Sequence, residues 1–170
     1  MRTVLVPIAA LALVAAPAVA QTPAWSTYAD PALGFSVLFP GQPAASEKDL
    51  PVGDQTVKMT SVTAADDQGV YMVAVVDYGV APESSKAALD GAVSGMVSSV
   101  DGQLVSQQAI TVGGQPAREV VIRSTSTGSE LLLKVRAVSS GTKLYEALAG
   151  GAGPTGAPDA DRFLASFTLL

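Results

Sequence analysis

The C-terminal half of the chain alternates between short β-forming segments and glycine-containing turns, and this pattern restricts the fold more than any other. Glycine stands in each intervening turn, at 113–114, 128 and 141, where tight turns need positive φ angles. Such hairpin turns join antiparallel neighbours, so we predict an antiparallel meander. Its four strands are residues 104–112, 117–124, 130–138 and 142–148.

Apolar spacing in the rest of the chain predicts further strands and two helices. Leu89, Val93 and Met96 recur at helical spacing, which predicts a helix over residues 82–100. Its two glycines weaken it, so we expect tertiary packing or a close backbone approach at small residues to hold it. We predict strands at 25–28, 35–39, 55–64 and 70–76, a helix at 158–166, irregular chain at 44–53 and a flexible loop at 150–156.

These elements together predict an α+β fold. The uncharged run at 70–76, rich in β-branched residues, suits a central strand buried on both faces. We therefore expect a mostly antiparallel sheet of about six or more strands flanked by helices. At this length a single domain, residues 21–170, is the natural count.

The first 20 residues have the pattern of a secretory signal peptide. Arg2 is followed by an apolar stretch, and Ala18-Val19-Ala20 forms a small-x-small cleavage site. The alternative is a retained membrane anchor, which Pro7 and Pro17 disfavour. We therefore predict cleavage after Ala20, a periplasmic or secreted protein, and no stable membrane insertion after cleavage.

Composition excludes several function classes. The 170 residues include no histidine and no cysteine, which excludes Ser-His-Asp and Cys-His catalysis, histidine or thiolate metal sites and disulfides. Loss of Arg2 on cleavage takes the net charge from −5 to −6, and the cations form no run, so we expect no nucleic-acid binding. Asp66-Asp67 is predicted to be a turn rather than a cation site.

Several motifs along the mature chain resemble the PsbP-like fold group, in particular its small exported bacterial members. The resemblance implies a PsbP-like α/β/α sandwich and a role in binding or assembly rather than catalysis. The matching motifs are Trp25-x-x-Tyr28, Gly34-Phe35-Ser36-Val37-x-Phe39-Pro40-Gly41-x-Pro43, Gly114-Gln115-Pro116-Ala117-Arg118-Glu119, Lys143-Leu144-Tyr145 and Arg162-Phe163-Leu164-x-Ser166-Phe167.

Aromatic and cationic side chains are the candidates for a partner surface. The alternatives are that the aromatic residues pack in the core or at its rim, and that the cations form cross-strand ion pairs with acids such as Glu119 and Glu130. The candidate residues are Trp25, Tyr28, Arg118, Lys134, Arg136 and Tyr145.

The functional expectation is an exported, non-catalytic binding or assembly module. Its partner would be an unidentified envelope protein or small ligand, with no catalytic residue, no metal and no cofactor assigned. Two alternatives remain open. The first is a hydrolase or lyase that uses carboxylates alone, which needs two converging carboxylates with raised pKa values. The second is an envelope scaffold or stress protein that binds no small ligand.

Overall fold

The structure is a computed structural model that describes residues 24–52, 55–125 and 128–170, so the predicted signal peptide lies outside the described residues. Its elements, in chain order, are β1 (Trp25–Asp30), β2 (Phe35–Pro40), β3 (Ala44–Val52), β4 (Gln55–Asp66), β5 (Gly69–Asp77), α1 (Ser85–Ser99), β6 (Gly102–Val112), β7 (Gln115–Ser124), β8 (Leu131–Ser140), β9 (Lys143–Ala152), α2 (Ala160–Ser166) and β10 (Thr168–Leu169).

The large sheet has seven antiparallel strands in the order β3-β4-β5-β9-β8-β7-β6. After β5 the chain crosses through α1 to the far edge at β6 and returns by hairpins until β9 pairs with β5. The predicted meander is confirmed as β6 to β9. A second, three-stranded sheet has the order β1-β2-β10.

The two helices lie on opposite faces of the large sheet. Side chains alternate along β9, so Tyr145 and Ala147 join one core cluster while Leu144 and Leu148 belong to clusters on the other face. The first face packs against the small sheet and α2, and the second packs against α1. The predicted α+β sandwich with helices on both faces is confirmed.

Most of the aromatic residues lie between the two sheets and α2. All but Tyr78 of the nine aromatic residues of the chain belong to or pack against this cluster. Aromatic rings this large bury much apolar surface and so dominate core stability. The fully buried members are Phe35, Phe39, Tyr71, Phe163 and Phe167.

Helix α1 is held by one apolar side rather than by its glycines. The Ser84 hydroxyl oxygen caps it by accepting from the Ala87 N–H, and Leu89 and Val93 are buried against the sheet. Gly91 and Gly95 face open space, so no other backbone approaches the helix closely at its glycines. Of the two expected causes, packing of the apolar side is the one that holds the helix in place. No helix in the described part of the chain is both long and apolar enough to cross a membrane.

Two expectations about irregular chain are wrong. Residues 44–53 were expected to be irregular, but β3 pairs with β4 in continuous register from Ala44 to Val52. The segment expected to be flexible at 150–156 begins inside β9, and Gly150 and Gly151 are buried. A Cβ on Gly151 would lie 2.4 Å from the backbone nitrogen of Ala157, so glycine allows the chain to fold back there.

Candidate functional site

A solvent-facing groove lies beside α2, over the part of the sheet formed by β6, β7 and β8. Lys134 and Arg136 are two residues apart on β8, and strand alternation places both side chains on the α2 face. The groove has a volume of about 490 Å³, and the polar side chains in its walls are Ser106, Gln107, Gln108, Glu119, Lys134, Arg136 and Asp161.

Each cation in the groove is paired with a carboxylate from another element. The Lys134 ammonium group lies 2.8 Å from a carboxylate oxygen of Asp161 on α2. The Arg136 guanidinium group pairs with Glu119, its direct cross-strand neighbour on β7. It also donates to the Leu164 carbonyl oxygen across 2.7 Å.

Solvent exposure distinguishes the two ion pairs. The Arg136 side chain is 17% exposed, and its Nε atom is buried with no hydrogen-bond partner. The Asp161 side chain is 82% exposed and that of Lys134 is 30% exposed. Exposed ion pairs contribute only a fraction of a kcal/mol, so an incoming carboxylate can replace Asp161 at Lys134 at small cost. The groove is therefore suited to bind a ligand that carries a carboxylate group.

Arg118 lies apart from this groove, on the opposite face of the sheet. It neighbours Glu119 in sequence, so alternation turns it towards α1, where it pairs with Asp90 at 3.1 Å. Two hydrogen bonds lower the pKa of Asp90; the one from Lys86 has the larger effect and the one from Arg118 the smaller. The expected cross-strand ion pair forms at Arg136, whereas Arg118 and Lys134 pair with acidic residues of the helices. Arg118 shares no surface with Lys134 and Arg136.

The aromatic candidates belong to the core and its rim. Tyr145 is buried and its hydroxyl donates to the Leu33 carbonyl oxygen at 3.0 Å, so the expectation that Tyr145 faces a partner is wrong. Trp25 is half-buried, with its ring edge-on to Tyr71 at 5.2 Å, and the Arg162 guanidinium lies 4.6 Å from its ring centroid.

Tyr28 is likewise half-buried at the rim of the core. Its hydroxyl donates to a carboxylate oxygen of Asp30 at 3.2 Å, and its ring contacts Phe35 and Phe39. The structure therefore brings together only Lys134 and Arg136 of the six candidates in one open groove.

Glu146 is a partly buried carboxyl group that the sequence analysis missed. It lies on the α1 face of β9, directly between Ala74 of β5 and Ala137 of β8. Burial raises its pKa from 4.5 to about 7, and no other charged group contributes to the shift. A single glutamate among the apolar residues 144–149 was the signal that could have revealed it.

The remaining features offer little chemistry. A smaller, apolar cavity of about 290 Å³ lies between Tyr78, Val80 and Leu144. Asp66 accepts from the backbone N–H groups of Gln68 and Gly69, which confirms the predicted turn. Within residues 24–52, 55–125 and 128–170, no three histidine, cysteine or acidic side chains are grouped so that they could hold a metal ion.

Comparison with known proteins identifies the fold. No protein-family model matches the chain, and no curated protein matches it. Among solved structures it is similar to the solution structure of cyanobacterial PsbP (CyanoP) from Synechocystis sp. PCC 6803. That match has a TM-score of 0.55 at 15% sequence identity and covers 92% of this chain and 99% of the other. The fold is therefore PsbP-like, as the motifs predicted.

Proposed function

We propose that this protein is an exported, non-catalytic binding module that engages a partner protein through the charged groove beside α2. Export rests on the signal-peptide pattern of residues 1–20. The absence of histidine and cysteine leaves few catalytic groups, which favours binding over catalysis.

One observation supports the choice of groove. Its cations are half-buried and held in place, while the Asp161 carboxylate opposite Lys134 is almost fully in solvent. A partner carboxylate can therefore take the place of Asp161 without uncovering a buried charge. The groove walls combine charged and amide side chains with apolar residues such as Val121 and Leu164. This mixture suits a polypeptide segment better than a purely apolar ligand, which needs apolar walls.

The carboxylate-only enzyme has less support. Glu146 has the raised pKa expected of a general acid, but no second carboxylate contributes to that shift. Acid–base chemistry of the two-carboxylate kind needs both groups at one site. Glu146 also lies on the α1 face, whereas the groove opens on the α2 face.

Co-purification from the native envelope, followed by mass spectrometry, tests the proposal. We expect the wild-type protein to enrich a specific partner and Lys134→Glu to lose it. Lys58→Glu is the matched control, because Lys58 also forms an exposed ion pair, with Glu47 at 3.1 Å, but on β4, which two strands separate from β8. If no partner is enriched, or if both variants keep the same partner, the groove is not the binding site. Either result would support the alternative of an envelope scaffold.

A further inference from the structure

Strand β6 is an edge of the large sheet, and no described strand pairs with its outer side. It is 11 residues long and carries no charged residue and no proline. Eight of its 11 residues are exposed, including Leu104 at 47% and Val105 at 48%. Such an edge presents a row of unpaired backbone donors and acceptors to any strand that can approach it.

The opposite edge of the same sheet is protected. Strand β3 carries Glu47, Lys48, Asp49 and Pro51, which are the charged and proline residues that block edge-to-edge pairing. In β6 the one protective device is a bulge between Leu104 and Ser106, where Val105 has no partner on β7. Residues 106–112 beyond the bulge are regularly paired and uncharged, so they form an open pairing edge.

We infer that β6 pairs antiparallel with β6 of a second copy of this chain, centred on Ala109, and joins the two sheets into one. The charge pattern singles out β6 as the strand at which two copies can meet. The chain has a net charge of −5, so two copies repel each other over most approaches. Two β6 strands bring no charged residue of their own to the contact, and antiparallel pairing of identical strands is self-complementary, as a two-fold interface requires.

The pairing also determines how the charged grooves meet. The two-fold axis of such a pair is normal to the sheet, so both copies present the same face on the same side. Ser106, Gln107 and Gln108 of β6 line the groove, so the two grooves would meet across the new strand pair. The dimer would thus present one long recognition surface. The pairing itself does not depend on the proposed function, because none of the four charged residues of the groove takes part in it.

The oligomeric state of the mature protein tests this inference. Sedimentation equilibrium is expected to give a concentration-dependent mass that approaches two chains. Ala109→Lys places two like charges opposite each other across the two-fold axis and is expected to weaken the dimer at least tenfold. Ser46→Lys on β3 is the control and is expected to leave it unchanged. A chain that stays monomeric at every concentration, or a dimer that β3 alone controls, overturns the inference.

Single-cysteine variants provide a second test, because the chain has no cysteine of its own. Directly opposite residues of an antiparallel pair are close enough to be bridged. Oxidised Ala109→Cys is expected to form a covalent dimer, and exposed Ala45→Cys on β3 is expected not to. Cross-linking at position 45 with none at 109 would overturn the inference, as would a monomer whose β6 pairs with the strand of a different protein.

Discussion

Arg136 of β8 donates a hydrogen bond to the carbonyl oxygen of Leu164, 28 residues later in the chain, at 2.7 Å. Leu164 lies in the last turn of α2, where carbonyl groups lack partners within the helix. The same guanidinium group pairs with Glu119 on β7. One side chain therefore connects two strands to the helix that forms the wall of the charged groove.

This arrangement predicts unequal roles for the two cations of the groove in stability. Arg136→Gln removes the charged partner of Glu119 and one of the two hydrogen bonds that the Leu164 carbonyl accepts, the other coming from the Phe167 N–H. We expect it to lower the free energy of unfolding by about 1–2 kcal/mol. Lys134→Gln removes only an exposed ion pair, and we expect a loss within about 0.5 kcal/mol. Urea denaturation measures both, and equal losses would contradict this account.

Glu146 predicts a dependence of stability on pH. Its pKa is raised to about 7 in the folded chain, so between its ordinary pKa of 4.5 and 7 the unfolded chain releases a proton that the folded chain keeps. Stability therefore falls as the pH rises through this window, by on the order of 3 kcal/mol, and levels off above it.

Glu146→Gln is expected to remove that dependence, because glutamine has no proton to lose. The variant should be more stable than wild type at pH 8 and similar to it at pH 4. Glu47→Gln, which changes an exposed glutamate, is the control and should keep the wild-type dependence. Urea denaturation at a series of pH values decides the matter, and a wild-type slope retained by Glu146→Gln refutes the assignment.

The exposed glycines of α1 predict a gain in stability. A Cβ at Gly91 or Gly95 would meet nothing within 4 Å, and alanine favours the helix over glycine by about 1 kcal/mol. Gly91→Ala and Gly95→Ala are each expected to raise the free energy of unfolding by about that amount. Thermal denaturation of the purified protein checks this, and a lower melting temperature would show that this side of α1 is covered.

The buried glycine of β9 predicts the opposite response. A Cβ at Gly151 would lie 2.4 Å from the Ala157 backbone nitrogen and 2.7 Å from the Gly156 carbonyl carbon. Backbone has little freedom to give way, so we expect Gly151→Ala to cost about 1–3 kcal/mol. Gly91→Ala serves as the matched control for the same chemical change. Equal effects from the two substitutions would be evidence against the close approach.

The fold was largely predictable because its turns and buried strands have local signals. Glycine turns mark the hairpins of β6 to β9, and helical spacing marks α1. Strand β3 has no such signal, because it is an exposed edge without apolar alternation and its strand state depends on pairing with β4. Gly150 and Gly151 are typical of a loop in sequence. Only their packing, of Gly150 against Leu133 and of Gly151 against Ala157, explains why they extend a strand.

The candidate site was predictable only in part, because strand register decides which charges meet. That Lys134 and Arg136 share a face follows from their spacing. The pairing of Arg136 with Glu119, and of Ala137 with Arg118, depends on the β7–β8 register, and a shift by one residue would exchange the faces. The contribution of Asp161 comes from the docking of α2, about which the local sequence carries no information.

Site-specific photo-crosslinking in the native envelope tests the central claim most directly. A photoreactive residue at the exposed groove position Ala165 is expected to yield one specific adduct with another protein, and the same residue at Lys58 none. Adding Lys134→Glu should abolish the adduct. The absence of any adduct from position 165, or an adduct that persists with Lys134→Glu, would contradict the proposal that this protein works by binding a partner through the groove.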